Sequence, residues 1–194
     1  KEMKHNGRPF SIHKKIEGKP LAEKISSLTP AELETVSKEI AEFMYELHSV
    51  QFDKNKIFKT NNIGLNLVDF LDELIQIHLN PKDKGFWDYN KFIQKNNSCL
   101  VHGDFNLSNV LLDENNHVSA VIDFGFAGFG NKYFDIARIL SRETPNNFSE
   151  SIINNYEKIS GEKLDTETLK TEIKIWKDID SGYINYMRGI GIYE

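Results

Sequence analysis

Residues 100–112, LVHGDFNLSNVLL, and after a short polar turn residues 121–138, VIDFGFAGFGNKYFDIAR, decide the reading of this chain. His102-Gly103-Asp104 stands just ahead of Asn109, and Asp123-Phe124-Gly125 follows an apolar run. One carboxylate, one amide and a second carboxylate on adjacent loops are the minimum set for moving a phosphoryl group. A phosphoryl donor carries clustered negative charge, so its site holds a divalent metal through oxygen ligands while a further carboxylate orients or deprotonates the acceptor hydroxyl. Asp104 fits the second task. Asn109, a neutral oxygen ligand, and Asp123, a charged one, fit the first. Each residue alone has an ordinary explanation as a turn or loop residue bonding its own backbone; all three at this spacing do not.

The pattern H-x-D-x-x-x-x-N followed by D-F-G is that of the catalytic and metal-binding loops of protein kinases, with Gly103 where those carry Arg. Glycine cannot pair with a phosphorylated activation segment. Only residues 126–134 separate Gly125 from Asp135, too little chain for a regulated loop and a peptide platform, so a small-molecule acceptor fits better. Over residues 99–140 the chain closely resembles the aminoglycoside phosphotransferase family, and choline kinases, homoserine kinases and macrolide phosphotransferases are similar in these motifs. A looser similarity extends upstream through Leu47-His48 and Ile16-Glu17-Gly18-Lys19-Pro20-Leu21.

The resemblance implies an α+β, mainly helical fold: the C-terminal lobe of a protein-kinase-like enzyme, with a small β-hairpin carrying the catalytic and metal loops. It implies transfer of the terminal phosphate of ATP or GTP, with Mg2+, to a hydroxyl of a small molecule such as an aminoglycoside antibiotic or similar metabolite. Asp104 would be the catalytic base, and Asn109 and Asp123 the metal ligands. Glu17, Gly18, Leu111 and Ile122 would line the nucleotide site. His102 and Asp135 would support the site, Asp135 by accepting hydrogen bonds from the catalytic-loop backbone. Arg138, one turn later, is expected either to support an acidic neighbour or to lie in solvent.

The companion lobe of such an enzyme is β-rich, carries a Gly-rich loop and a strand lysine, and needs on the order of a hundred residues. Residues 1–18 are therefore read as the end of that lobe's last strand plus the hinge, and residues 19–194 as the phosphotransferase lobe, with the N-terminal lobe absent. No G-x-G-x-x-G or G-x-x-x-x-G-K motif replaces it. The glycine cluster at 125–130 fits a tight turn instead. Because positioning supplies most of the catalysis in phosphoryl transfer, the expectation is a fragment with little turnover alone. The alternative is a vestigial or non-catalytic binding module, and the surface left open by the lobe is a place for self-association.

Composition narrows the class further. With 39% apolar and 11% aromatic residues the chain can bury a substantial core. Its single cysteine, Cys99, excludes an intramolecular disulfide and lies in an apolar run where a buried thiol is the default. No apolar run of transmembrane length and no secretory h-region is present, so the expectation is a cytoplasmic protein with no membrane partner. The net charge of −5 is concentrated in the second half of the chain, which disfavours nucleic acid and would attract polycations. The late acids Glu162, Asp165, Glu167, Glu172, Asp178 and Asp180 are read as a solvated helix face rather than a cleft.

Local patterns complete the layout. Residues 10–15 alternate weakly, as a last strand before the hinge would. Thr29-Pro30-Ala31-Glu32 is a capping box opening an amphipathic helix to about His48, with Leu33, Val36, Ile40, Phe43, Met44 and Leu47 inward. Helices are expected over 67–79, with Phe70, Leu71, Leu74, Ile75 and His78 on one side, and over 85–95 around Trp87 and Phe92. Short strands are expected at 99–102, 109–112 and 117–122, the last two joined by Asp113-Glu114-Asn115-Asn116. Beyond Tyr133 the chain reads as helical, with breaks near 144–147 and 160–161. A metal-dependent hydrolase built on His102, Asp104, His117 and Asp123 is possible by residue type, but it leaves Asn109 and Asp-Phe-Gly unexplained.

Overall fold

Why a helix begins at Pro30 is visible in its first turn. In the computed structural model, which describes residues 3–5, 8–10, 14–51, 99–145 and 147–189, Thr29 caps α2 (Pro30–His48); α1 is the short turn Leu21–Lys24. The Thr29 hydroxyl accepts the Glu32 N–H at 3.3 Å, and the Glu32 carboxylate accepts the Thr29 N–H at 2.7 Å. Both halves of the box are present, so two otherwise orphaned donors are satisfied. Leu33, Val36, Ile40 and Met44 form the buried stripe. Ser37 and Ala41 on the same stripe are small, which lets α4 (Phe148–Ser160) approach until the hydroxyls of Ser37 and Ser151 meet at 2.6 Å.

The described residues include three small sheets. Strands β1 (Met3–His5) and β2 (Arg8–Phe10) pair antiparallel. Strand β3 (Lys19–Pro20) pairs with β5 (Val110–Leu112), which pairs with β6 (Val118–Val121). Strand β4 (Cys99–Val101) pairs with β7 (Gly128–Gly130). The loops bearing Asp104 and Asp123 thus leave the ends of β4 and β6, which a hydrogen bond from His102 to the Ile122 carbonyl holds together. Period-2 alternation places Val110 and Leu112 in the core and turns Leu111 to the other face of β5.

Helices α3 (Lys132–Leu140) and α5 (Thr166–Gly189) close the other side of the core. Phe134 and Trp176 pack between them with their rings tilted by 59°, and the indole N–H donates to the Phe134 carbonyl at 3.1 Å. Ile136 and Ile139 from α3 and Ile179 from α5 join the same cluster as Ile40, Phe105 and Ile152.

Several expectations need correction. Of the strand expected over 10–15, Phe10 belongs to β2, residues 11–13 lie outside the described residues, and residues 14–18 carry no regular structure. The glycine cluster is not one turn: residues 124–126 form a single 3-10 turn, and Gly128–Gly130 continues as a strand because β4 offers it a ladder that glycine's own propensity would not predict. The acidic face of α5 is only partly solvated. Glu172 is buried and Asp180 is ion-paired, since both fall on the face that carries Leu169, Trp176 and Ile179. The helices expected at 67–79 and 85–95 lie outside the described residues.

Candidate active site

Asp135 organises the centre. It stands in the first turn of α3, wholly buried; its Oδ2 accepts the His102 N–H at 2.7 Å and its Oδ1 the Gly103 N–H at 3.0 Å. His48, the last residue of α2, approaches Oδ2 through Nε2 at 3.3 Å, while its Nδ1 meets the Tyr156 hydroxyl at 2.9 Å. Burial pushes the Tyr156 hydroxyl well above its ordinary range. Facing a carboxylate, the His48 Nε2 is the donor to Asp135, and the Tyr156 hydroxyl partners Nδ1. A buried carboxylate needs such partners on both oxygens, and here they are the backbone of the catalytic loop.

His102 carries that order onward. Its Nε2 donates to the Ile122 carbonyl at 2.8 Å and its Nδ1 accepts the Asp104 N–H at 3.3 Å, which defines one tautomer. The Ile122 N–H in turn donates to the Asn109 carbonyl at 2.9 Å. Ile122, just before Asp123, is therefore held through both its carbonyl and its N–H by the loop bearing Asp104 and Asn109. Asp123 itself takes left-handed backbone angles, φ 65° and ψ 60°, and its side chain is exposed.

Asp104 is partly exposed. The Asn109 amide donates to its carbonyl at 2.9 Å and reaches its Oδ2 at 3.4 Å. With Nδ2 so engaged, Oδ1 is the Asn109 atom with lone pairs to offer a cation. One neutral oxygen and one carboxylate, from Asn109 and Asp123, suit magnesium, which keeps several waters and takes few protein ligands beside substrate phosphate. Among the described residues no group of three or more His, Cys, Asp or Glu is spaced to hold a metal.

Gly103 acquires a second meaning here. A Cβ on it would lie 2.2 Å from the Phe126 carbonyl oxygen, and its φ is +87°. The glycine is required by the 3-10 turn packed against it.

The remaining predicted residues divide. Gly18 packs against the hairpin, where an added Cβ would meet Ser119 Oγ at 2.9 Å and Leu111 Cβ at 3.1 Å. Leu111 and Ile122 are on β5 and just beyond β6. Glu17 has an exposed side chain, 3.7 Å from the Lys15 ammonium, and its carbonyl accepts from the Ser119 hydroxyl at 3.4 Å. His117 is parted from His102 by the length of β6 and pairs with Glu39 at 2.6 Å, which breaks up the hydrolase grouping. Cys99 is half-buried, and burial together with the Asp135 charge pushes its thiol up to about 12.

Arg138 and Asp180 are the residues the sequence reading undervalued. The Arg138 Nε donates to Asp104 Oδ1 at 2.7 Å, and a terminal nitrogen donates to both oxygens of Asp180 at 3.0 Å. A lone cation inside the apolar run FDIARIL was the available signal, because such a charge is buried only with a partner.

Comparison with known proteins agrees with this architecture. The sequence profile of the phosphotransferase enzyme family, APH, matches residues 1–170, and the chain belongs to that family. Among solved structures, the GDP and kanamycin complex of APH(2")-IIia superposes with a TM-score of 0.67 at 20% identity, over 96% of this chain and 67% of that one. The streptomycin and ATP complex of APH(2")-IIa gives 0.59 at 21%, over 87% and 62%. APH(3'')-Id from Streptomyces rimosus gives 0.60 at 16%, over 86% and 66%. Identities this low establish the fold. The chain spans about two thirds of the length of these relatives.

Proposed function

We propose that this chain carries the catalytic loops of a small-molecule phosphotransferase, which moves the terminal phosphate of ATP or GTP to a hydroxyl of an aminoglycoside-type acceptor. Residues 19–194 form the phosphotransferase lobe in this reading, and residues 1–18 the strand end and hinge toward the nucleotide. Relatives of this fold are seen with GDP, ATP, kanamycin and streptomycin, which supports a nucleotide and a polycationic acceptor here; the acidic second half of the chain suits the latter.

The observation that carries the reading is the double clamp on Ile122, from His102 Nε2 and Asn109 carbonyl, which ties Asp123 to the loop of Asp104. Asn109 Oδ1 and the Asp123 carboxylate would hold magnesium, which when bound neutralises charge on the phosphates. Asp104 receives the acceptor hydroxyl and orients it for in-line attack, and accepts its proton as the phosphoryl group arrives. Gly18, just ahead of β3, and Leu111 on the facing β5 would lie against the adenine or guanine. Asp135 and His102 touch no substrate; they fix the backbone from which Asp104 projects. In the cell this activity would confer aminoglycoside resistance in the cytoplasm.

The test is Asp104→Asn in the full-length gene product, assayed by nucleotide-coupled phosphate transfer to kanamycin. The expected loss in kcat is on the order of 10²- to 10⁴-fold, with nucleotide affinity nearly unchanged. Full activity in that variant would remove Asp104 from the chemistry.

A further inference from the structure

Arg138 does more than join two helices. Its terminal nitrogen, at 3.0 Å from both oxygens of Asp180, already completes an ion pair between α3 and α5, and its guanidinium lies 4.4 Å over the Trp176 ring. Asp180 is held from its other side by the Arg142 Nε at 3.2 Å. The plane and direction of the Arg138 guanidinium are therefore set by α5. The Nε points out of the helix pair to the catalytic loop, where it donates to Asp104 Oδ1 at 2.7 Å, the shortest bond the Arg138 side chain makes.

A carboxylate on a loop is a two-fold rotor about its last torsion, with a broad range of angles. Fixing Oδ1 with a planar donor that cannot itself turn stops the rotation. Oδ2, which has only the 3.4 Å approach of the Asn109 amide, is then the oxygen presented to an incoming hydroxyl.

We propose that Arg138 is a positioning residue for phosphoryl transfer: anchored by Asp180 and Trp176, its Nε locks Asp104 so that Oδ2 faces the acceptor. The inference rests on Asp104 receiving the acceptor hydroxyl. It makes α5 part of the catalytic machinery, although no α5 side chain need reach the reacting atoms.

Lysine at 138 separates positioning from packing, because a single ammonium keeps the charge but cannot serve Asp104 and Asp180 in a fixed fork. In the full-length protein, Arg138→Met should lower both Tm and kcat. Arg138→Lys should recover most of the Tm yet leave kcat down on the order of 10- to 100-fold, with the nucleotide KM within about twofold of wild type, as expected for a misplaced group. Placing Arg138→Lys in an Asp104→Asn background should cost nothing further, since the group being positioned is gone. Recovery of kcat together with Tm in Arg138→Lys, or additive losses in the double variant, would overturn the proposal. Should Arg138→Met fail to fold, the Lys variant and the cycle decide alone. An active Asp104→Asn single variant would instead sink the underlying reading of Asp104.

Discussion

A buried carboxylate is tolerated only where its lone pairs are filled, and the chain contains both a filled and an unfilled case. Asp135 is wholly buried and accepts two backbone N–H groups besides His48, so its charge becomes a fixed point on which the catalytic loop hangs. Glu172, 1% exposed on α5, has no partner for either oxygen, and burial pushes its carboxyl up to about 8 from 4.5. Below 4.5 the folded and unfolded chains both hold that proton and Glu172 contributes no pH dependence. Between 4.5 and about 8 the folded chain keeps a proton the unfolded chain has released, so stability falls as pH rises. The slope is roughly 1.4 kcal/mol per pH unit as an upper bound. Glu172→Gln should abolish it: in urea denaturation the variant's advantage over wild type should be larger at pH 8 than at pH 5. An advantage of the same size at both would show that Glu172 ionises freely in the fold.

Among the elements, the contact that matters most joins the catalytic loop to the 3-10 turn after Asp123. Gly103 stands where a side chain would displace the Phe126 carbonyl, at a backbone angle that L residues rarely adopt. Gly103→Ala should therefore destabilise the protein by about 1–3 kcal/mol through strain, read from the urea midpoint. It should also raise the magnesium concentration needed for half-maximal transfer, because the turn that moves begins at Asp123. Unchanged stability and magnesium response would mean that the turn adapts at no cost. Helix ends are better insulated. The Thr29 box fixes where α2 begins, and α2 then delivers His48 at its far end to Asp135.

For the molecule as a whole, the helices make a frame and the strand ends make the site. Ligand binding to that site should appear as added stability, since anything bound only by the folded state stabilises it by mass action, by about 2.7 kcal/mol at a hundred times Kd, and so raises Tm. Thermal melts of the full-length protein with GTP or ATP should therefore shift upward, and more so with magnesium. In Asp123→Ala the magnesium-dependent part should vanish while the nucleotide-only part persists. A magnesium increment that survives in this variant would assign the cation to other ligands. No described helix is long and apolar enough to cross a membrane.

The chain's own letters determined whatever depends on near neighbours. The capping box at Thr29, the helical stripe of α2, the hairpin around Asp113–Asn116 and the helix breaks near 145 and 160 were all legible, because caps, turns and periodicity are decided within a few residues. The spacing also put Asp104, Asn109 and Asp123 on two adjacent loops, and their proposed roles rest on that placement. Tertiary structure alone decided what partners arrive from far along the chain. Gly128–Gly130 became a strand because β4 lay alongside it, and Gly103 had to be glycine because the Phe126 carbonyl fills the space of its missing side chain. Arg138 found Asp104 and Asp180, 34 and 42 positions away. An ion pair of that kind leaves no periodic trace in sequence, since its energy depends on which charges packing forces together away from water.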